Sequence, residues 1–454
     1  MKPIRDYQSA LDYLYSFIDF SLTKDLRYSP EKFNLDRMYR FLDLLDNPQN
    51  KYNVIHVAGT KGKGSICAMV AGILSKAGYQ TGFYSSPHMI EFTERIQIGN
   101  KHIKKEEVIK YLNELNGLIE QITNISTFEI VTGMAFKYFA DKSVEFAVIE
   151  VGMGGRLDAT NVVLPMVTAI SSISIDHTQV LGDSLKKIAA EKAGIIKENV
   201  PVVLSPQQKP AEDVVEARAK GKNAKLIKVR ESCTYQIKEA SLNGQKVLFS
   251  FDTVETKMNH QAKTRKNLEL FIPLIGDHQI ENAATALLVT GELIEKGWEI
   301  PDYAILEGIK ELKWQGRFEI ISEFPMIIID GAHNRDSFIK MRDTIKKYLT
   351  EKKVILLFGV SEDKQVKLML QEIRSVVYEL IITKSNHPRA LEPAIIEIFA
   401  RQLGFDYSIE PDISKAVMKM FDHAGKDEVI IASGSLFIAG AVKEIITKKV
   451  MMHG

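Results

Sequence analysis

Seven residues, Gly59-Thr60-Lys61-Gly62-Lys63-Gly64-Ser65, put three glycines and two lysines between a short apolar run at 54–57 and a helical pattern. A strand that turns through glycines into a helix N-terminus is a cradle for an anion. Backbone N–H groups and the positive helix end face the ligand, and glycine permits close approach and positive φ. In a P-loop a lysine reaches the β/γ-phosphates and a following hydroxyl serves Mg²⁺. Here those are Lys63 and Ser65, although Gly64 displaces the hydroxyl by one place, so the strict GxxxxGK-Ser/Thr spacing is not met. Lys61 is expected at the loop surface, and Cys67 in the core.

Three further stretches carry chemistry. In "FAVIEVGMGGRLDATN" an apolar strand ends in Glu150, with Arg156 and Asp158 in the glycine-rich loop beyond. A carboxylate at the carboxyl end of a central strand lies where open α/β sheets bind ligands, and Mg²⁺ favours such a carboxylate with phosphate oxygens. By itself Glu150 serves an ordinary salt bridge equally well. In "SISIDHTQVLGDSLKKIAAEKAGIIK", Asp176-His177 follow an apolar run and Lys192 sits on a helix. Histidine is a natural metal ligand; alone, a helical lysine reads as a solvated face. In "MIIIDGAHN", Asp330 and His333 again follow an apolar strand. Arg317, earlier in "WQGRFE", could reach a phosphate across a cleft.

The elements that must hold these residues follow a βα rhythm. Strands are expected at 54–57, 80–84, 146–151, 167–170 and 202–204, with helical patterns such as 105–121 and 129–139 between them. This is a mostly parallel, helix-covered sheet. Residues 225–275 alternate around Asn243-Gly244, a hairpin signal within a small antiparallel insert. A helix at 278–296 follows, then a second βα series with strands at 326–329, 353–358, 380–383 and 428–432. Polar stretches at 207–225 and 257–266 read as linkers. The fold class is therefore α/β: a doubly wound N-terminal domain (1–312) with an antiparallel insert, and a smaller Rossmann-like C-terminal domain (313–454).

At 454 residues the chain is long enough for two or three domains. Its formal net charge of +1 gives no bulk attraction to nucleic acid or an acidic membrane. Two cysteines, Cys67 and Cys233, cannot build a disulfide framework. Neither a signal-peptide core nor a transmembrane run is present, so a cytoplasmic protein is expected; a monomer is expected as well.

Together these stretches resemble the folylpolyglutamate synthase/dihydrofolate synthase family, within the Mur-ligase-type ATP-dependent amide ligases. "VAGTKGKGS", "SSPHMIEFTERIQIG", "IEVGMGGRLDATN", "DHTQVLGDSLKKIAAEKAGIIK", "WQGRFE", "IDGAHN" and "ASGSLF" are similar to the family's motifs, in order and along nearly the whole chain. The resemblance implies that residues Gly59, Thr60, Lys61, Gly62, Lys63, Gly64 and Ser65 hold ATP phosphates. Asn282, Arg317, Asp330 and His333 would bind nucleotide from across the cleft. Ser65 or Ser85, with Glu150, would bind one Mg²⁺, and Glu150 with His177 would position a second. Lys192 would carry CO₂ as a carbamate, so that Lys63, Lys192 and His177 form the catalytic set. Pro87, His88, Arg95, Arg156 and Asp158 would face the substrate. The implied reaction joins L-glutamate to a folate, and to dihydropteroate in bifunctional members, through an acyl phosphate. Gln315 and Ser184 depart from the family pattern, and "STFEIVTGMAF" matches the pteroate-site stretch only loosely. A Mur-type ligase acting on a UDP-linked peptidoglycan precursor is the competing reading.

Overall fold

The computed structural model describes residues 4–18, 34–251, 266–423, 425 and 427–453. Strands β1 (Asn53–Ala58), β2 (Thr81–Tyr84), β3 (Ile96–Ile98), β4 (Lys101–His102), β5 (Phe146–Glu150), β6 (Val167–Ile170), β7 (Val202–Leu204) and β8 (Leu226–Lys228) form one sheet in the order β4-β3-β2-β5-β1-β6-β7-β8. From β2 to β8 every neighbouring pair is parallel, while β3 and β4 extend the edge antiparallel. The central strand β1 has β5 on one side and β6 on the other. The chain leaves β1 toward β2 and later returns to place β6 on the opposite side. That reversal opens a crevice at the carboxyl ends of β1, β5 and β6, where α/β sheets receive ligands.

Burial on both faces explains the near-continuous apolar strands. One face packs on the helices Lys63–Lys76, Asp277–Glu295 and Asp302–Lys310; the other packs on Lys105–Ile119 and Thr127–Asp141. The Lys63–Lys76 helix is buried continuously from Gly64 to Leu74. It can be apolar all round because elements cover it on every side. Gly72 and Gly308 permit its crossing with the Asp302–Lys310 helix: a Cβ on Gly72 would lie 2.7 Å from the Gly308 carbonyl oxygen. This buried helix therefore aims its N-terminus into the crevice as a fixed part of the core.

The insert is a three-stranded antiparallel sheet, β9 (Cys233–Ser241), β10 (Gly244–Phe251) and β11 (Lys266–Ile272), with β9 and β10 joined through Asn243 as the hairpin signal suggested. The stretch 207–225 is not a linker. It holds a helix, Lys209–Gly221, that buries Ala211, Val215 and Ala219 on one face. Its apolar positions are small and spaced by four, so polar residues dominate a plain reading of composition. The other expected linker, 257–266, lies outside the described residues up to Lys266.

A second sheet is ordered β12-β13-β17-β14-β15-β16 and comprises β12 (Glu319–Glu323), β13 (Met326–Ile329), β14 (Lys353–Phe358), β15 (Glu379–Ile382), β16 (Asp406–Ile409) and β17 (Glu428–Ser433). Only the β12–β13 pair is antiparallel. The two edge strands, β12 and β16, escaped the sequence reading because each is only partly buried and carries polar residues. Apolar clusters fill both faces of this sheet. One of them takes in Met89 from the first domain, 8 % exposed among Ile327, Ile329 and Ile438. The segment after β2 is thereby fastened to the second domain.

Candidate active site

The phosphate-type loop leaves β1 and is pinned by its neighbours. The N–H groups of Thr60 and Lys61 both donate to Ser172 O, at 2.8 and 3.1 Å, and Thr60 Oγ1 donates to Ser174 O at 3.2 Å. Gly62 then caps the helix with φ of 91°, a conformation that favours glycine. A Cβ there would sit 2.2 Å from Asn282 Oδ1, so Asn282, on the Asp277–Glu295 helix, lies directly against the loop. Gly64 has Trp314 and Glu150 as its nearest neighbours; a Cβ would lie 2.7 Å from Trp314 Cζ2 and 3.3 Å from Glu150 Oε2. At Gly59, with φ of 145°, a Cβ would lie 1.8 Å from Ser171 Oγ, so all three positions need glycine where neighbouring elements close on one turn.

Glu150 ends β5 and is 6 % exposed. Lys63 Nζ lies 3.8 Å from Glu150 Oε1, and Ser86 N–H donates to Oε2 at 3.3 Å. Burial pushes its carboxyl group up from the usual range, while the Lys63 ammonium and Arg317 pull it back. A cation at this carboxylate relieves that penalty. The hydroxyl-bearing residues Ser65 and Ser85 are also buried. A carboxylate with hydroxyls, open to phosphate oxygens, is the donor set Mg²⁺ takes. Among the described residues no group of three or more His, Cys, Asp or Glu could hold a metal unaided. An ion here would therefore need the oxygens of a bound phosphate.

Lys192 belongs to the short Leu185–Ala193 helix, yet it is 4 % exposed rather than solvated. Its Nζ donates to Gly59 O at 2.8 Å. Burial, and next the charge of Lys63, lower its pKa to about 7. His177, at φ of 50°, caps the helical turn Thr178–Leu181 with its ring partly open to the cleft, where desolvation by the surrounding protein lowers its pKa. A neutral imidazole keeps a lone pair for a metal or a proton.

The second domain contributes Arg317, Asp330 and His333. Asp330 accepts from Ala332 N at Oδ1 and from Phe318 N at Oδ2, both at 2.8 Å, which ties the loop after β13 to the domain junction. Arg317 Nη1 donates to Gly316 O at 3.0 Å. His333 Nδ1 lies 2.8 Å from Gly331 O, so the proton sits on Nδ1 and Nε2 is left as an acceptor. Lys61 Nζ fills that acceptor at 2.6 Å and also lies 3.2 Å from Asp176 Oδ2. Lys61 is thus not a loop-surface lysine. It spans the two domains because the second domain's loop folds over it.

The remaining expected residues are each engaged with local partners. Arg95 Nε donates to His88 Nδ1 at 2.9 Å, beside Pro87. Arg156 pairs with Glu191 at 2.9 Å. Asp158 is 7 % exposed and accepts from Met153 N at 2.8 Å and from Thr160 Oγ1 at 2.5 Å, while Thr160 Oγ1 in turn lies 2.9 Å from His56 Nε2. This buried chain fixes the glycine-rich loop after Glu150.

Asp176, named beside His177 but given no role of its own, meets two residues the sequence reading missed, Asn334 and Lys364, at the domain boundary. A cleft of about 280 Å³ opens beside them, lined by His177, Asp176, Asn334, Lys364, Asp363 and Arg389. Lys364 lies just past the carboxyl end of β14, and the strand-end rule could have found it.

Family profiles cover both domains: the Mur ligase middle domain matches residues 57–290, and the Mur ligase glutamate ligase domain matches 316–436. A Bacillus subtilis protein named dihydrofolate synthase/folylpolyglutamate synthase is 32 % identical over 446 residues, 96 % of this chain and 98 % of that protein. Among solved structures, Escherichia coli FolC in complex with DHPP and ADP is 27 % identical with a TM-score of 0.84, covering 99 % of this chain and 100 % of that one. The bifunctional folylpolyglutamate synthase/dihydrofolate synthase of Yersinia pestis, complexed with AMPPNP and Mn ion, is 26 % identical with a TM-score of 0.82, over 98 % and 100 %.

Proposed function

The chain belongs to the Mur ligase family and, within it, to the folylpolyglutamate synthase/dihydrofolate synthase group, and from that premise we propose that it joins L-glutamate to folates at the expense of ATP, and to dihydropteroate as well. The observation that carries this reading is the meeting of Lys63 and the buried Glu150, 3.8 Å apart, at the N-terminus of a helix built into the core. A Mur-type substrate is not favoured: relatives matched along nearly the whole chain bear folate-ligase names.

A carboxylate and an amine do not condense in neutral water. In the proposed reaction a folate carboxylate oxygen attacks the γ-phosphorus of ATP, and ADP leaves. The glutamate amine then attacks the acyl carbon, phosphate departs and the amine loses a proton. Positioning and positive charge supply most of the catalysis of phosphoryl transfer. The loop N–H groups and Lys63 would hold the phosphates, Asn282 would fix the loop, and Arg317, Asp330 and His333 would close on the nucleotide from the second domain. Glu150, with Ser65 or Ser85, would hold Mg²⁺, and His177 with Glu150 would help place a second ion; the metal supplies charge neutralisation. The amine of Lys192, whose pKa burial lowers to about 7, fits uptake of CO₂, which would turn it into an anion beside the metals.

Pro87, His88 and Arg95, with the loop carrying Arg156 and Asp158, would shape the folate side. Arg389, whose Nε is buried without a partner, would offer donors to a carboxylate of the incoming glutamate in the interdomain cleft. Cys67 and Cys233 are both buried and outside any disulfide, which suits a reducing cytoplasm, and a single chain supplies every residue named. Among the described residues no helix is long and apolar enough to cross a membrane.

The test is ADP release with Mg-ATP and glutamate, run with tetrahydrofolate and separately with dihydropteroate, with products weighed by mass spectrometry. One added glutamate on both is expected. Product with tetrahydrofolate alone would confine the enzyme to polyglutamylation, and product with neither would overturn the folate reading.

A further inference from the structure

We propose that Asp176 is a positioning residue that clasps the two domains together, coupling the phosphate loop to the loop bearing Asp330 and His333. The proposal rests on the ligase reading for its kinetic consequence but not for its geometry.

A carboxylate offers about four lone-pair sites. In Asp176 all four are taken. Oδ1 accepts from Lys364 Nζ at 3.0 Å and from His177 N at 3.0 Å; Oδ2 accepts from Asn334 Nδ2 at 3.0 Å and from Lys61 Nζ at 3.2 Å. The group is 8 % exposed. A buried, saturated carboxylate has no site left for substrate or metal, so its work is to hold its donors.

Those donors come from four places. Lys61 belongs to the phosphate loop and His177 to the loop after β6, both in the first domain. Asn334 caps the Arg335–Tyr348 helix, and Lys364 follows β14, both in the second. Lys61 also donates to His333 Nε2 at 2.6 Å. One carboxylate therefore fixes the phosphate loop and the nucleotide-facing loop of the other domain in a single register. Lys364 has a second carboxylate partner, Asp363, at 2.9 Å, which keeps it in place when Asp176 is altered.

Removing the charge while keeping the shape leaves Lys61 and Lys364 facing each other across an amide. Breaking a buried pair on one side costs more than the pair contributes, because the partners stay buried and unpaired. Separation of the domains relieves this by returning both lysines to water. Reaction then slows, since small misplacements of reacting groups weaken catalysis strongly. Nucleotide still binds, because most of the phosphate cradle is backbone of the first domain.

The experiment compares Asp176→Asn, Lys364→Met and the double variant with the parent enzyme. It reads affinity for a non-hydrolysable ATP analogue with Mg²⁺ by calorimetry, kcat, and hydrogen exchange of residues 333–337 with the analogue bound. Expected are an analogue Kd within about threefold of the parent, kcat lowered about tenfold or more, and faster exchange; the double variant should be no worse than Asp176→Asn, as for residues acting as one unit. Parental kcat, a parallel loss of analogue affinity and kcat, unchanged exchange, or fully additive effects would each overturn the clasp. If Asp176→Asn does not fold, Lys364→Met alone must show the same split. A parent enzyme without folate-dependent turnover would sink the ligase reading, while binding and exchange would still decide the clasp.

Discussion

Lys192 Nζ donates to the carbonyl oxygen of Gly59 at 2.8 Å, so a lysine on a short helix far along the chain is docked under the first residue of the phosphate loop. Its environment lowers its pKa to about 7, so a large share of it is the neutral amine near physiological pH. Burial is the larger cause and the nearby Lys63 ammonium the second.

Uptake of CO₂ by Lys192 is therefore expected above pH of about 7. Enzyme prepared without CO₂ should lose activity and regain it with bicarbonate. Lys192→Ala should lower kcat by about a hundredfold, as for loss of an electrostatic contributor, and should not respond to bicarbonate. Labelled CO₂ should give a carbamate resonance in the parent enzyme alone. A bicarbonate-independent parent with no such resonance would end the proposal.

The same lysine has a signature in stability when it is not carbamylated. Its folded pKa is about 7 against an ordinary 10.5, so between those values the unfolded chain binds a proton that the folded chain has released. Stability from this group rises with pH across that window. Denaturant melts in CO₂-free buffer at a series of pH values should show this slope, and Lys192→Met should flatten it. An unchanged slope would mean that other groups produce it.

Lys63→Met should reduce kcat by about 10²–10³, since it removes positive charge from the phosphate site. The fold should survive, because the side chain lies at the crevice and not in the apolar core. Circular dichroism and steady-state ADP release measure both halves of this expectation. A loss below about threefold would remove Lys63 from the catalytic set.

Gly62→Ala meets two obstacles, a φ of 91° and a Cβ 2.2 Å from Asn282 Oδ1. A strained backbone of this kind costs on the order of 1–3 kcal/mol. The loop or Asn282 must shift, so nucleotide affinity should fall at least about tenfold along with the melting temperature. Parental affinity would show that the loop tolerates a side chain at this position.

Glu150→Gln keeps the shape and removes the charge. The variant should need at least about tenfold more Mg²⁺ for half-maximal activity, because Mg²⁺ is held through few protein carboxylates. A Mg²⁺ titration of kcat at saturating ATP gives the answer. An unchanged requirement would assign the metal to other donors.

Much of the fold was legible because apolar runs and helical periods report burial directly. The strands around Val57, Ile149 and Ile328 were placed within a residue or two, and the Asn243-Gly244 hairpin marked the insert. Partly buried edges were harder: β12, β16 and the Lys209–Gly221 helix hide few apolar residues, so composition outweighed period.

At the site, glycine spacing and strand-end carboxylates marked the turn after β1 that caps a helix and the buried Glu150 at the end of β5, because backbone geometry demands those residue types locally. Nothing local distinguishes Lys192 from a surface lysine, or Lys61 from a mobile loop side chain. Each is defined by what folds over it: Gly59 O and the Lys63 charge for the first, Asp176 and His333 for the second. The sequence by itself determined the two βα layers and the glycine turn at a helix N-terminus, since periodicity and glycine are properties of neighbouring residues. Only the tertiary structure decided which charges are buried together across the domain boundary, because desolvation and pairing depend on segments hundreds of residues apart arriving at one carboxylate.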